Sequence, residues 1–275
     1  MEEWMDNRRI GFFDSGIGGL TSIPYLMRDF PDEHVIFFGD TARTPYGSKS
    51  GRVIRRFTLE IGDFMERSGV KMMVAACNTI SATSLDVLRE KYPDIPVTGV
   101  IEPVCDVVAA KCGSDDHVGI IATRATVSTG AYVNAIKARR PDMENIFQTA
   151  CPAFVPLIEE GIIDNNIMHD TVRYYLDDFV RENRIDTLVL GCTHYQLIRK
   201  VIEEIYPDIR TISSSEEVVK EIGAILKSRD MLAGENDEEN VFYASDLSEN
   251  FINMINMLLG NEQDDLNIRF KNLDM

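Results

Sequence analysis

Short runs of nearly continuous apolar residues recur along the chain at positions 10–13, 35–38, 72–76, 97–101, 118–122 and 187–190, and a more polar run at 210–212 repeats the theme. Each gives way to polar or glycine-containing residues, the pattern of a strand buried on both faces that ends in a loop. Between them, apolar residues fall at helical spacing over 52–68, 81–91, 171–183 and 195–205. Strands that alternate with helices predict mainly parallel sheets covered on both faces, an α/β fold.

The pattern repeats itself weakly. Gly11-Phe-Phe-Asp14-Ser15-Gly16 is echoed by Gly119-Ile-Ile-Ala-Thr123, each an apolar strand opening into small or hydroxyl residues. Val74-Ala-Ala-Cys77-Asn78-Thr79 is echoed by Val189-Leu-Gly-Cys192-Thr193-His194. Asp14 precedes Cys77 by 77 − 14 = 63 residues, and Thr123 precedes Cys192 by 192 − 123 = 69. Two pseudo-symmetric α/β domains facing one another across a cleft account for both spacings. The expected division is 1–98 and 99–214, with 215–275 returning to the first domain.

Composition narrows the partners. Lys and Arg number 28 against 45 Asp and Glu, a net charge of −17, which argues against nucleic-acid and anionic-membrane binding. No apolar run approaches the roughly 18 residues of a membrane span, and the first nine residues are polar, so neither a membrane anchor nor a secretory leader is expected. The five cysteines make no disulfide framework, which fits reduced thiols in a cytoplasmic protein acting on a small molecule. Neither a Cys-x-x-Cys nor a His-x₃-His spacing occurs, and His34, His117 and His169 are isolated, so no metal is expected. The glycine-rich stretch after Asp14 lacks both the lysine of a P-loop and the G-x-G-x-x-G spacing, which disfavours a nucleotide cofactor. The acidic runs at 234–240 and 261–265 read as solvated loops.

In open parallel sheets, ligands collect at the carboxyl ends of strands. Asp14, Ser15 and Gly16 stand at one such end, Cys77, Asn78 and Thr79 at another, and Cys192, Thr193 and His194 at a third. A cysteine beginning a helix is expected to ionise more readily than a free thiol. A single buried cysteine is more often only a small hydrophobe, and Cys105, Cys112 and Cys151 are read that way. Two in matching contexts on matching halves suggest chemistry. Inverting a stereocentre needs a proton removed from one face and another returned to the opposite face, and two thiols across a cleft can do both. Asp14 and His194 would serve as their proton partners. Hydroxyl and amide donors on Ser15, Asn78, Thr79, Thr123 and Thr193 would bind a carboxylate locally, against the long-range repulsion of a chain at −17. A redox dithiol, a zinc site and a non-catalytic binding protein remain open on pattern alone.

The motifs resemble those of the cofactor-independent aspartate/glutamate racemase superfamily, and of glutamate racemases within it. The matching segments are Phe13-Asp-Ser-Gly-Ile-Gly-Gly-Leu20, Phe38-Gly-Asp-Thr-Ala-Arg-Thr-Pro-Tyr-Gly47, Ala76-Cys-Asn-Thr79, Ala150-Cys-Pro-Ala-Phe-Val-Pro-Leu-Ile-Glu-Glu-Gly161, Leu190-Gly-Cys-Thr-His-Tyr195 and Val241-Phe-Tyr-Ala-Ser-Asp246. The resemblance implies two α/β domains with the active site between them and Cys77 and Cys192 as the acid/base pair. It implies assistance from Asp14, Glu159 and His194. It also implies substrate contacts from Asp14, Ser15, Tyr46, Gly47, Asn78, Thr79, Thr193 and His194. It further implies no cofactor, and D-glutamate supplied for peptidoglycan in a bacterial cytoplasm. Racemization of aspartate or another acidic amino acid is the alternative. Arg43, beside the Pro-Tyr-Gly segment, is expected at the surface. Oligomeric state is not set by the sequence, and a homodimer is compatible with it.

Overall fold

The computed structural model describes residues 5–260 and 267–273. The acidic run at 261–265 therefore lies outside the described residues. The strands, in chain order, are β1 (Ile10–Asp14), β2 (Val35–Gly39), β3 (Met72–Ala75), β4 (Val97–Gly99), β5 (Val118–Ala122), β6 (Ile146–Ala150), β7 (Thr187–Gly191), β8 (Arg210–Ser213), β9 (Val241–Ala244) and β10 (Asn267–Phe270). They form a six-stranded sheet in the order β10-β9-β2-β1-β3-β4 and a four-stranded sheet in the order β6-β5-β7-β8. Every recorded pairing in both sheets is parallel.

Alternation along the strands builds a core on each face of each sheet. In the first lobe, Ile10, Phe12, Val35, Phe37, Met72 and Val74 pack on one face with Val218, Ile222 and Phe251. Phe13, Ile36, Phe38, Met73 and Ala75 pack on the other against Ile54, Ile61 and Leu88. In the second lobe, Leu188 and Leu190 join one cluster, and Val118, Ile120 and Val189 join the opposite one. The helix Ser214–Ser228 leaves the second lobe and contributes Val218, Val219, Ile222 and Leu226 to the first-lobe core. Ser213 caps that helix by accepting from Glu216 N.

Three segments differ from the pattern-based expectation. The run at 97–101 yields only the three strand residues of β4, because Ile101 opens the helix Ile101–Lys111. The helix expected over 195–205 is a 3₁₀ segment, Thr193–Ile198, followed by an α-helix, Arg199–Ile205. Strand β6 carries no continuous apolar run, since Ile-Phe-Gln-Thr-Ala is only half-buried along its length. No helix among the described residues is long and apolar enough to cross a membrane.

At the amino ends of the first-lobe strands, Lys71 is fully buried. Its ammonium sits 2.7 Å from Glu33 Oε2 and donates to the carbonyls of Asp6 and Met231, each also at 2.7 Å. Glu33 in turn accepts from Ala233 N. This buried pair ties the segments around residues 6, 33 and 231 to the start of β3, far from the strands' carboxyl ends.

Candidate active site

The carboxyl ends of both sheets face one cavity of about 360 Å³, in the range of small-ligand pockets. β1 ends in Asp14, β3 runs into Cys77, β5 into Thr123, β6 into Cys151 and β7 into Cys192, and all five residues line the cavity. So do Ser15, Tyr46, Gly47, Asn78, Thr79, Glu159, Thr193 and His194, which places every sequence-predicted site residue around one space.

The two thiols occupy equivalent local positions. Cys77 is the N-cap residue of the helix Asn78–Lys91, and Cys192 is the N-cap residue of the 3₁₀ segment Thr193–Ile198. Both are nearly buried, at 5% and 7% exposure. Burial pushes the Cys77 thiol up to about 12, reinforced by the Asp14 carboxylate and only partly offset by the Ser15 hydroxyl 3.4 Å away. The expectation that a helix terminus would make this thiol ionise readily thus fails, because loss of hydration outweighs the helix dipole. Cys77 rests as a protonated thiol.

Around Cys192 the charge pattern is different. His194 Nδ1 lies 3.9 Å from Cys192 Sγ, and its Nε2 lies 3.1 Å from Glu159 Oε1. Burial alone would lower the imidazole, but the Cys192 sulfur and the Glu159 carboxylate together outweigh it and push His194 up to about 10. Of the adjacent pair Glu159 and Glu160, Glu159 is the one bonded to the histidine. A Cβ on Gly18 would come within 2.4 Å of His194 Nδ1, so only glycine lets the ring lie there.

Asp14 is buried between the lobes. Its Oδ1 accepts from Gly16 N at 2.7 Å and its Oδ2 from Thr193 Oγ1 at 3.4 Å. Burial raises its carboxyl to about 6, against the lowering influence of His194 and of these hydrogen bonds. Thr79, Thr123 and Thr126 share a set of hydroxyl contacts across the cleft at 3.1–3.5 Å. Thr123 also caps the helix Arg124–Thr129.

One sequence expectation is corrected here. Arg43 is not a surface residue: its guanidinium lies 4.0 Å over the Phe57 ring and pairs with Asp40 and Glu60. Tyr46 is buried with its hydroxyl donating to Asp40, which leaves its ring or backbone, not its hydroxyl, for the cavity. Asp40 also accepts from Ser245 Oγ, so one buried carboxylate anchors the segment that presents Tyr46 and Gly47. Sequence reasoning missed Cys151 as a cavity residue. The strand-end rule would have found it, but β6 is too polar to read as a strand. His169, isolated in sequence, meets Asp164 and Glu204 in space, with potential ligand atoms of all three within 4.8 Å, but none of them lines the cavity.

Two thiols at strand ends of the two parallel-sheet lobes thus line one cavity, among hydroxyl, amide and carboxylate groups. The chain belongs to the Asp/Glu/Hydantoin racemase family, whose model matches residues 24–222. It is 43% identical over 261 residues to the glutamate racemase of Geobacter metallireducens, covering 94% of this chain and 95% of that one. Its fold is similar to glutamate racemase from Francisella tularensis in complex with D-glutamate, with a TM-score of 0.90, 36% identity and coverage of 98% and 99% of the two chains. It is also similar to the Escherichia coli glutamate racemase in complex with L-glutamate and the activator UDP-MurNAc-ala, with a TM-score of 0.78, 27% identity and coverage of 96% and 98%.

Proposed function

We propose that the protein interconverts L- and D-glutamate by passing protons between the substrate α-carbon and two thiols, Cys77 and Cys192. The observation that carries the reading is that both thiols stand at matching strand ends of the two lobes and line one cavity. The relatives crystallised with D-glutamate and with L-glutamate support the choice of substrate.

For L-glutamate, Cys192 as thiolate takes the α-proton, leaving a planar carbanion. Cys77, protonated at rest, gives its proton to the opposite face, so the product is D-glutamate and the two sulfurs have exchanged roles. The reverse reaction starts from the thiolate of Cys77. The protonated His194, held by Glu159, stands beside Cys192, and Asp14 stands beside Cys77. Each can accept or return a proton between turnovers. The two carboxylates of glutamate meet hydroxyl and amide donors on Ser15, Asn78, Thr79, Thr123 and Thr193, which suits binding in a chain whose net charge of −17 would repel the substrate at long range. Two thiols complete the proton balance, so the reading calls on no cofactor or metal. It places the reaction in a bacterial cytoplasm, supplying D-glutamate for peptidoglycan, and includes assembly as a homodimer, which sedimentation would check.

The decisive experiment uses Cys77→Ser and Cys192→Ser. A serine hydroxyl ionises far less readily than a thiol, so both variants should lose racemization. In D₂O each should retain α-proton exchange or elimination with only one enantiomer, and the preferred enantiomer should swap between the two variants. Near-normal racemization by either variant, or the same preference in both, would refute the two-thiol mechanism. A parallel assay with aspartate tests the choice of substrate.

A further inference from the structure

We propose that Tyr132 and Ser214, neither of which lines the cavity, are positioning residues that hold Asn78 as a hydrogen-bond donor toward a substrate carboxylate. The argument begins at a carbonyl. The main-chain oxygen of Leu190, on β7, can only accept, so the Ser214 hydroxyl 3.2 Å away donates to it. That uses the one proton of Ser214, which can then only accept from the Asn78 amide nitrogen at 3.3 Å. With the nitrogen on that side, Asn78 Oδ1 faces Tyr132, whose hydroxyl donates to it at 2.6 Å. The chain of bonds therefore has one direction, and it fixes the orientation of the Asn78 amide.

One amide proton of Asn78 is spent on Ser214. The other remains for the cavity, which Asn78 lines. An inverted amide would present its oxygen there instead and repel a carboxylate. Tyr132 is 1% exposed. Burial and the nearby thiols of Cys105 and Cys192 keep its phenol protonated, hence a constant donor. Its ring has room because residue 191 is glycine: a Cβ there would come within 3.1 Å of Tyr132 Cε2 and 2.8 Å of the Ile121 carbonyl. Tyr132 lies on the second-lobe helix Ala131–Arg139, whereas Asn78 opens a first-lobe helix. Substrate recognition by Asn78 thus requires the lobes to be together.

This inference rests on the glutamate reading, and the experiment separates the two. Glutamate racemization is measured for the wild type, Tyr132→Phe, Ser214→Ala, Asn78→Ala and the double variants that combine Asn78→Ala with each of the other two. Tyr132→Phe keeps the ring, so circular dichroism melting should show a folded protein. Its KM for glutamate should rise roughly tenfold, about the worth of one hydrogen bond to a charged group, with kcat falling less than about threefold. Ser214→Ala should act in the same direction. In the Asn78→Ala background neither change should raise KM further, because the amide they orient is gone. A folded Tyr132→Phe enzyme with wild-type KM, or effects that multiply with Asn78→Ala, would overturn the positioning role. If Tyr132→Phe does not fold, Ser214→Ala alone and combined with Asn78→Ala decides the matter by the same criteria. A wild type that does not racemise glutamate would instead overturn the functional reading, and this inference with it.

Discussion

Replacing Asp14 by asparagine should stabilise the protein while disabling it. Burial raises this carboxyl from 3.8 to about 6, so its ionised form is disfavoured in the folded state relative to the unfolded one. A tenfold change in ionisation is worth about 1.4 kcal/mol, which makes the charge about 3 kcal/mol costlier folded than unfolded at neutral pH. The sign follows from proton counts. Between 3.8 and about 6 the folded protein holds more protons at this site than the unfolded chain, so wild-type stability falls as pH rises through that window. Asparagine keeps an oxygen for Gly16 N and can donate to the Thr193 hydroxyl, but it has no charge to bury. The variant should therefore match the wild type near pH 4 and exceed it by up to about 3 kcal/mol above pH 6. For a chain of this size that is roughly 5 °C in melting temperature. The assay is a set of thermal melts of both proteins between pH 4 and 8. Turnover should fall by about 10²–10⁴-fold, with kcat affected more than KM, because Asp14 adjoins Cys77 and no longer carries a proton to exchange. A stability difference independent of pH, or an asparagine variant less stable at neutral pH, would refute the reasoning.

Two further perturbations follow. Glu159→Gln removes one of the groups that push His194 up to about 10, so the imidazole should lose its proton at lower pH and the alkaline limb of the kcat/KM profile should move down; an unmoved limb would separate His194 from that limb. The pH dependence of stability has the same sign as for Asp14, in a higher window: the raised His194 contributes stability below its ordinary value of 6.5 that is lost as pH rises through about 10, and glutamine should weaken that dependence. Lys71→Ala leaves Glu33 buried without its ion-pair partner and should cost about 3–5 kcal/mol in urea unfolding at pH 7, with kcat little changed because the pair lies at the amino ends of the strands; a loss under about 1 kcal/mol would sink that account.

The fold was legible because strands buried on both faces are nearly all apolar, and six of the ten described strands announced themselves that way, whereas β8, Arg-Thr-Ile-Ser, only continued the alternation with helices. β6 did not, since a half-buried strand keeps Gln148 and Thr149 and resembles a loop by composition. Its misreading hid Cys151. The candidate site was legible to the extent that its residues follow directly on strands: Asp14, Cys77, Thr123 and Cys192 all do. A place after a strand does not by itself reveal residues that act from behind the cavity, since Asp40 follows β2 and Ser214 follows β8. Their partners lie far off in sequence, Asp40 with Ser245 at a separation of 205, Tyr132 with Asn78 at 54 and Asn78 with Ser214 at 136, and hydropathy carries no record of such pairing. Ionisation was the least legible. The position of Cys77 at a helix start suggested a ready thiolate, whereas the surrounding burial, known only in three dimensions, makes it a resting acid.

The polypeptide passes between the lobes twice, once from β4 through the helix Ile101–Lys111 to β5, and once from β8 through the helix Ser214–Ser228 to β9. The two crossing helices pack against each other, so both covalent links lie side by side. A body joined by two neighbouring pins behaves as a door: it swings about the line through them but resists sliding and twisting. The width of the cleft can therefore change to admit a molecule while the lateral alignment of its walls is preserved. The proposed proton transfer between Cys77, substrate and Cys192 calls for such alignment, and the paired links supply it mechanically, whatever the cleft contains.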